Sequence, residues 1–238
     1  MEIIPLGDSA LIVRVCERFE DAPEKTLDAV LRAFGKLQNA AIPGIIELAP
    51  AYTSVAVFFD PIVVAKAAEA PDNVLDSLAT RIHAAVAARA DPGWNIRSRS
   101  QTVEIPVCYD PEFALDIDDV ARRANVSPGE VVNLHTSAEY RVACIGFVPG
   151  FPFLTGLPKI LATPRRNVPR REIPPGSVGI GGAQTGIYPL RSPGGWNLIG
   201  RTPLRLFDPQ KDSPTLLHAG ESVRFRAITR DEFESLKR

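Results

Sequence analysis

Three groups of side chains in this 238-residue chain have the types and spacing for chemistry. His135 precedes Tyr140 at the end of a helical segment, where an imidazole with an ordinary pKa of about 6.5 can act as acid, base or hydrogen-bond donor. The plain alternative is that a histidine near a helix C-terminus only satisfies the last carbonyls. Arg165, Arg166, Arg170 and Arg171 crowd into one short stretch, where Pro164 and Pro169 hold the backbone extended and project guanidinium groups that can grip carboxylate or phosphate. A solvated loop is the competing reading there. Between Gly176 and Thr202 the polar groups able to touch a ligand are few: Gln184, Thr185, Arg191, Ser192 and Arg201. Phe147, Phe151, Phe153, Tyr188 and Trp196 flank them, and either line a groove or fill a core.

Other chemistries lack their residues. Gly7-Asp8-Ser9 leads into a strand and Ser177 sits between glycines, so no nucleophile elbow or Ser-His-Asp arrangement emerges. His83, His135 and His218 lack metal-ligand spacing, and no metal site is expected. Cys16, Cys108 and Cys144 are widely spaced among apolar residues, which favours buried free thiols over a disulfide or zinc site. Gly179-Ile180-Gly181-Gly182 invites comparison with a phosphate cradle, but such a loop must open a helix, and Gly186, Pro189, Pro193 and Gly194 follow.

The elements that must position these groups are short. Eleven of the 17 glycines and ten of the 22 prolines lie between Gly146 and Pro203, a density that excludes long helices and leaves brief barrel strands joined by tight turns. Before it, Thr102 to Cys108 reads as a strand that Pro106 demotes to an edge or bulge. Asp116 to Asn125 opens with acidic residues suited to a helix N-terminus, and Ser127-Pro128-Gly129-Glu130 is a capping box. Tyr140 to Phe147, Leu204 to Phe207 and Ser222 to Ala227 read as strands, and Asp231 to Lys237 as a terminal helix.

The first part of the chain is different in texture. Ser9 to Val15, Ile45 to Leu48 and Tyr52 to Phe59 read as strands. Helical spacing marks Leu27 to Leu37, with Asp21 as the expected cap, and Leu75 to Val86. The result is a small antiparallel α/β sandwich with both helices on one face. Asp91-Pro92-Gly93 and the polar stretch to Gln101 mark a linker, giving domains at 1–92 and 102–238 with 93–101 between. A net charge of −1 offers no field for nucleic acid or an anionic membrane. No basic leader or long apolar run is present, so the chain reads as cytosolic.

Several stretches together resemble the family of the B component of 5-oxoprolinase, also called allophanate hydrolase subunit 1, which includes a bacterial inhibitor of a sporulation histidine kinase. They are Gly7 to Ala10, Pro50 to Tyr52 with Ser54, Val103 to Tyr109, Leu134-His135 with Tyr140 to Val142, and Gly146 to Phe151. They continue with Thr163 to Arg165, Pro169-Arg170, Gly176 to Val178, Gln184 to Pro189, Ser192 to Trp196 and Ile199 to Pro203. The resemblance is nearly full length, and Phe153 stands where the family usually has tyrosine. It implies an α+β chain: the small sandwich, then a cyclophilin-like β-barrel.

The activity it implies is a share in ATP-dependent opening of 5-oxoproline (pyroglutamate) to L-glutamate, with the C component of 5-oxoprolinase (allophanate hydrolase subunit 2 type) and its A component as partners. ATP with magnesium belongs to the assembled complex, no cofactor is held tightly by this chain, and the chain is expected to be inactive alone. The alternatives are a module that inhibits a sensor histidine kinase and a carboxyltransfer component related to urea carboxylase. The expected catalytic residues are His135, Arg170 and Gln184. Substrate or nucleotide binding is expected at Gly146, Phe147, Gly150, Phe151, Gly182, Thr185, Tyr188, Gly194, Gly195, Trp196 and Arg201.

Overall fold

The computed structural model describes residues 1–67, 74–88 and 102–237. The expected linker, 93–101, lies outside the described residues. The chain divides into two compact units, Met1–Arg99 and Ser100–Arg238.

The first unit runs β1 (Glu2–Pro5), β2 (Ala10–Arg14), α1 (Pro23–Ala40), β3 (Ile45–Ala51), β4 (Ser54–Phe59), α2 (Pro61–Lys66) and α3 (Val74–Ala87). Its strands pair antiparallel in the order β1-β2-β4-β3. Alternation decides the buried face: Leu11 and Val13 of β2 and Val55, Val57 and Phe59 of β4 share a core with Val30 and Leu37 of α1 and Leu78 and Ile82 of α3. Two details differ from expectation. The residue preceding α1 is Ala22, without a side-chain cap, because Pro23 takes the first turn and shifts the start past Asp21. The extra helix α2 begins after Asp60, whose carboxylate accepts from the Ile62 and Val63 amides at 2.8 and 3.1 Å.

The second unit contains β5 (Val103–Cys108), α4 (Ile117–Ala124), α5 (Pro128–Ser137), β6 (Tyr140–Ile145), β7 (Pro152–Thr155) and β8 (Arg170–Ile173). It continues with β9 (Ser177–Gly181), β10 (Gln184–Ile187), β11 (Ser192–Gly194), β12 (Asn197–Arg201), β13 (Ser222–Ile228) and α6 (Arg230–Leu236). Seven strands close a circuit, β6-β13-β5-β12-β9-β10-β7 and back to β6. The β13–β5 pair is parallel and the other pairs are antiparallel. Val107, Val142, Val178, Ile180, Ile199 and Phe225 form its core with Val120 of α4 and Val131 of α5. The N-cap half of the expected capping box forms: Ser127 Oγ accepts from the Glu130 amide at 3.2 Å, while the Glu130 carboxylate accepts from Asn133 Nδ2 at 3.3 Å.

Pro106 is a correction. It lies inside the closed circuit, not at an edge, opposite Arg226 of β13. The flank toward β12 is paired only at Cys108, so a strand lacking one N–H is accommodated there. Leu204 to Phe207 is also not a strand. The Leu206 side chain is buried, and the segment makes only an isolated bridge between Phe207 and Thr215.

Candidate functional site

Asp116 organises the polar part of the barrel surface. Its carboxylate is 2% exposed, and it accepts from Arg166 Nη1 at 2.6 Å and from both Arg170 Nη1 and Nη2 at 2.8 and 2.9 Å. The Leu198 amide of β12 adds a fourth donor at 2.7 Å. Asp116 therefore makes no side-chain cap for α4. It ties the start of that helix to β8, to the arginine stretch and to β12. Arg166 and Arg170 share this one carboxylate, so the view of the arginine run as an exposed loop is corrected for both. Arg165 differs, lying over the Trp196 ring with its guanidinium carbon 5.9 Å from the ring centroid.

Beside the arginines is an aromatic wall. Phe151, Tyr188 and Trp196 are buried together with Ile173 and Leu198, and Phe151 meets Phe153, Tyr188 and Trp196 with centroids 4.8, 5.1 and 5.5 Å apart. Phe147 alone of the set projects outward, 62% exposed, from a left-handed backbone at φ 68°. That conformation is unusual for a bulky residue. The turn that imposes it is closed by Val148 N–H to Gly146 O at 2.8 Å and Gly146 N–H to Phe151 O at 3.1 Å, and Gly150 takes φ 81° within it.

The glycines make room for these rings. A Cβ at Gly181 would lie 2.5 Å from the Trp196 indole, one at Gly186 2.7 Å from the Pro152 carbonyl, and one at Gly194 2.4 Å from the Tyr188 hydroxyl. Gly182 forms the turn into β10, where Gln184 stands opposite Gly181. Gly195 accepts from the Arg166 amide at 2.7 Å. Arg201 does not join this group: at the far end of β12 it donates to Pro175 O at 2.8 Å and lies over Phe113.

His135 is elsewhere as well. It is fully buried, stacked on Phe225 with centroids 4.3 Å apart, with Nδ1 2.8 Å from the Tyr109 hydroxyl and Nε2 3.1 Å from Thr185 Oγ1. Thr185 donates to Gly179 O at 3.0 Å, so its oxygen receives the proton on Nε2, and Nδ1 receives the tyrosine's. Burial pushes the His135 pKa down to about 3 and that of Tyr109 well above its ordinary range. The imidazole is neutral, with both nitrogens occupied by side chains inside the barrel. Thr185, expected to bind substrate, is likewise fully buried.

Sequence reading missed Asp116, which lies 50 and 54 residues from its arginines, and it missed Tyr109 as the partner of His135. Nothing local signals the first; the second is hinted by an aromatic hydroxyl ending a strand. Among the described residues, no group of three or more histidines, cysteines or carboxylates converges as metal ligands, and no helix is long and apolar enough to cross a membrane.

A family model described as "Carboxyltransferase domain, subdomain C and D" matches residues 1–217. The B component of 5-oxoprolinase from Bacillus subtilis (strain 168) is 42% identical over 236 residues, spanning 99% of this chain and 96% of that protein. The chain belongs to the 5-oxoprolinase B-component family. A conserved uncharacterized protein from Pyrococcus horikoshii, of solved structure, shares 36% identity with this family member at a TM-score of 0.55, covering 98% of this chain and all of the other. The urea amidolyase of K. lactis superimposes with a TM-score of 0.76 at 23% identity, over 98% of this chain and 15% of the larger one. That likeness establishes a shared fold.

Proposed function

We propose that this chain is the B component of a multi-subunit, ATP-dependent 5-oxoprolinase that opens 5-oxoproline to L-glutamate in the cytoplasm, acting with the C and A components. The observation that carries the reading is its end-to-end likeness to the B. subtilis protein of that name. The lactam is a stable amide, and its activation through ATP needs donors aimed at a developing oxyanion and a grip on phosphate. The Gly146, Val148 and Gly182 amides are spent on backbone carbonyls and Gln184–Ile187 is a barrel strand, so the groups suited in kind to the first task are the Phe147 and Gly150 amides with the Gln184 side chain. Guanidinium groups suit phosphate, whereas the described residues gather no carboxylate set for magnesium. The metal's ligands are therefore assigned to the nucleotide and the partner proteins.

In this reading Arg170 and His135 are positioning residues. Arg170 spends both terminal nitrogens on Asp116, and His135 spends both ring nitrogens inside the barrel. The substrate-facing wall is supplied by Phe147, the two glycine loops and the rim of Trp196, at a junction with the C component.

The test is phosphate release by the lone chain, by each partner alone and by the mixture, with and without 5-oxoproline. The expected result is 5-oxoproline-dependent release by the mixture only. Turnover by the lone chain refutes the shared site. Dependence on urea in place of 5-oxoproline moves the assignment to carboxyltransfer, the chemistry named in the family model's description.

A further inference from the structure

The concave surface between α4 and the loop from Thr163 to Val168 is a cleft of about 620 Å³, lined by Arg122, Arg123, Arg165 and Arg166 against one carboxylate, Asp119. Its volume lies within the range of small-molecule sites, roughly 300–1,000 Å³. Asp119 accepts from Arg122 at 2.7 Å, and Arg166 is held by Asp116. No carboxylate among the described residues pairs with Arg123 or Arg165, so the cleft carries uncompensated positive charge. Arg166 Nε is buried and makes no hydrogen bond, so Asp116 does not satisfy all of that guanidinium's donors.

The arginine loop is built rather than loose. Thr163 and Gly182 exchange backbone hydrogen bonds at 3.0 and 2.7 Å, and the Arg166 amide donates to Gly195 O at 2.7 Å. Buried Asn197 donates from Nδ2 to Pro164 O at 2.9 Å and to Ile180 O at 3.1 Å. The guanidinium groups are thus carried on a fixed frame, which lowers the ordering cost of binding.

We propose that this cleft binds a small molecule through a phosphate or diphosphate group. Guanidinium groups lining one cleft match the several acceptor oxygens of phosphate, whereas one carboxylate would leave most of this charge unanswered. A net charge of −1 for the whole chain confines the attraction to the concavity and argues against a nucleic acid partner. The inference does not rest on membership of a 5-oxoprolinase complex, because its test uses the lone chain and no turnover.

The experiment is calorimetric titration of the full-length chain with pyrophosphate, ADP, inorganic phosphate and acetate at low and high salt. Pyrophosphate is expected to bind at least about tenfold more tightly than acetate, and salt to weaken it. Arg123→Ala and Arg165→Ala, both at exposed positions, should each weaken it by about tenfold, with thermal melting to verify folding. Arg224→Ala, on the exposed Glu139 pair, should leave it unchanged. ADP equal to pyrophosphate identifies a site for phosphate groups alone, and tighter ADP binding identifies a nucleotide site. Pyrophosphate binding no tighter than acetate, or insensitive to both arginine variants, overturns the proposal.

Discussion

At the residue scale the molecule depends on two buried polar groups that serve opposite purposes. Asp116 compensates two arginines, so Asp116→Ala leaves Arg166 and Arg170 facing each other without a counter-charge and strands the Leu198 amide. Both arginines are partly solvated, which reduces the loss, and we expect about 2–3 kcal/mol of destabilisation, against about 1 for Arg166→Ala. Chemical denaturation of the three proteins checks this; equal costs would mean that Arg166 alone uses the carboxylate.

His135 gives a pH dependence whose sign is fixed by its burial. Its folded pKa is about 3 and its unfolded value about 6.5, so below about pH 6.5 the unfolded chain binds a proton that the folded chain refuses. Stability is complete above that value and falls as pH drops toward 3, by up to about 1.4 kcal/mol per pH unit. His135→Gln should be less stable at neutral pH and flatter between pH 6.5 and 4.5. Parallel melting curves for the two proteins would show that the histidine does not carry the acid sensitivity. Of the candidate site, the arginine stretch was legible because it is local in sequence, and the aromatic residues were legible by type, although Phe151 meets Tyr188 and Trp196 only through the barrel. The Asp116 hub was not, since its partners come together only through the barrel's closure.

At the scale of elements, neighbouring glycines separate two reasons for having no side chain. A Cβ at Gly181 would lie 2.5 Å from the Trp196 indole, whereas Gly182 has open space but a φ of +66°. Gly181→Ala should cost about 2–3 kcal/mol through overpacking and shift Trp196 emission, read in a Trp94→Phe background. Gly182→Ala should cost about 1–2 kcal/mol through backbone strain and leave emission unchanged. An unmoved spectrum in Gly181→Ala would show that the ring does not depend on that gap.

The same local physics explains what the sequence revealed of the fold. Ser127-Pro128 with Glu130 and the alternation at Val55, Val57 and Phe59 are short-range signals, and they placed α5 and β4 within a few residues. Asp60-Pro61, which opens α2, is an equally local signal that the sequence reading passed over. Pro106 misled because a proline in a strand suggests an edge, and only the tertiary pairing of β5 with β12 at Cys108 shows where the missing N–H is tolerated. Leu206 misled because burial in an irregular segment leaves the same apolar pattern as a strand.

At the scale of the whole molecule, closure of the barrel bears on which part of the chain can fold alone. Each of β5, β6, β7, β9, β10, β12 and β13 has a partner on both sides, so the circuit leaves no open edge of the kind that promotes aggregation. Its apolar core draws on residues from Ile105 to Phe225, all within the second unit, and α4 and α5 bring their own contributions to it. The cleft arginines are carried on α4 and on a loop whose backbone hydrogen bonds end at Gly182 and Gly195. We therefore expect residues 102–238, expressed alone, to unfold in a single cooperative thermal transition and to keep the pyrophosphate affinity of the full chain. An aggregated fragment, or one that melts without cooperativity while the full chain behaves well, would show that the first unit is required for the barrel. A folded fragment that has lost pyrophosphate would place an essential part of the binding site in the first unit.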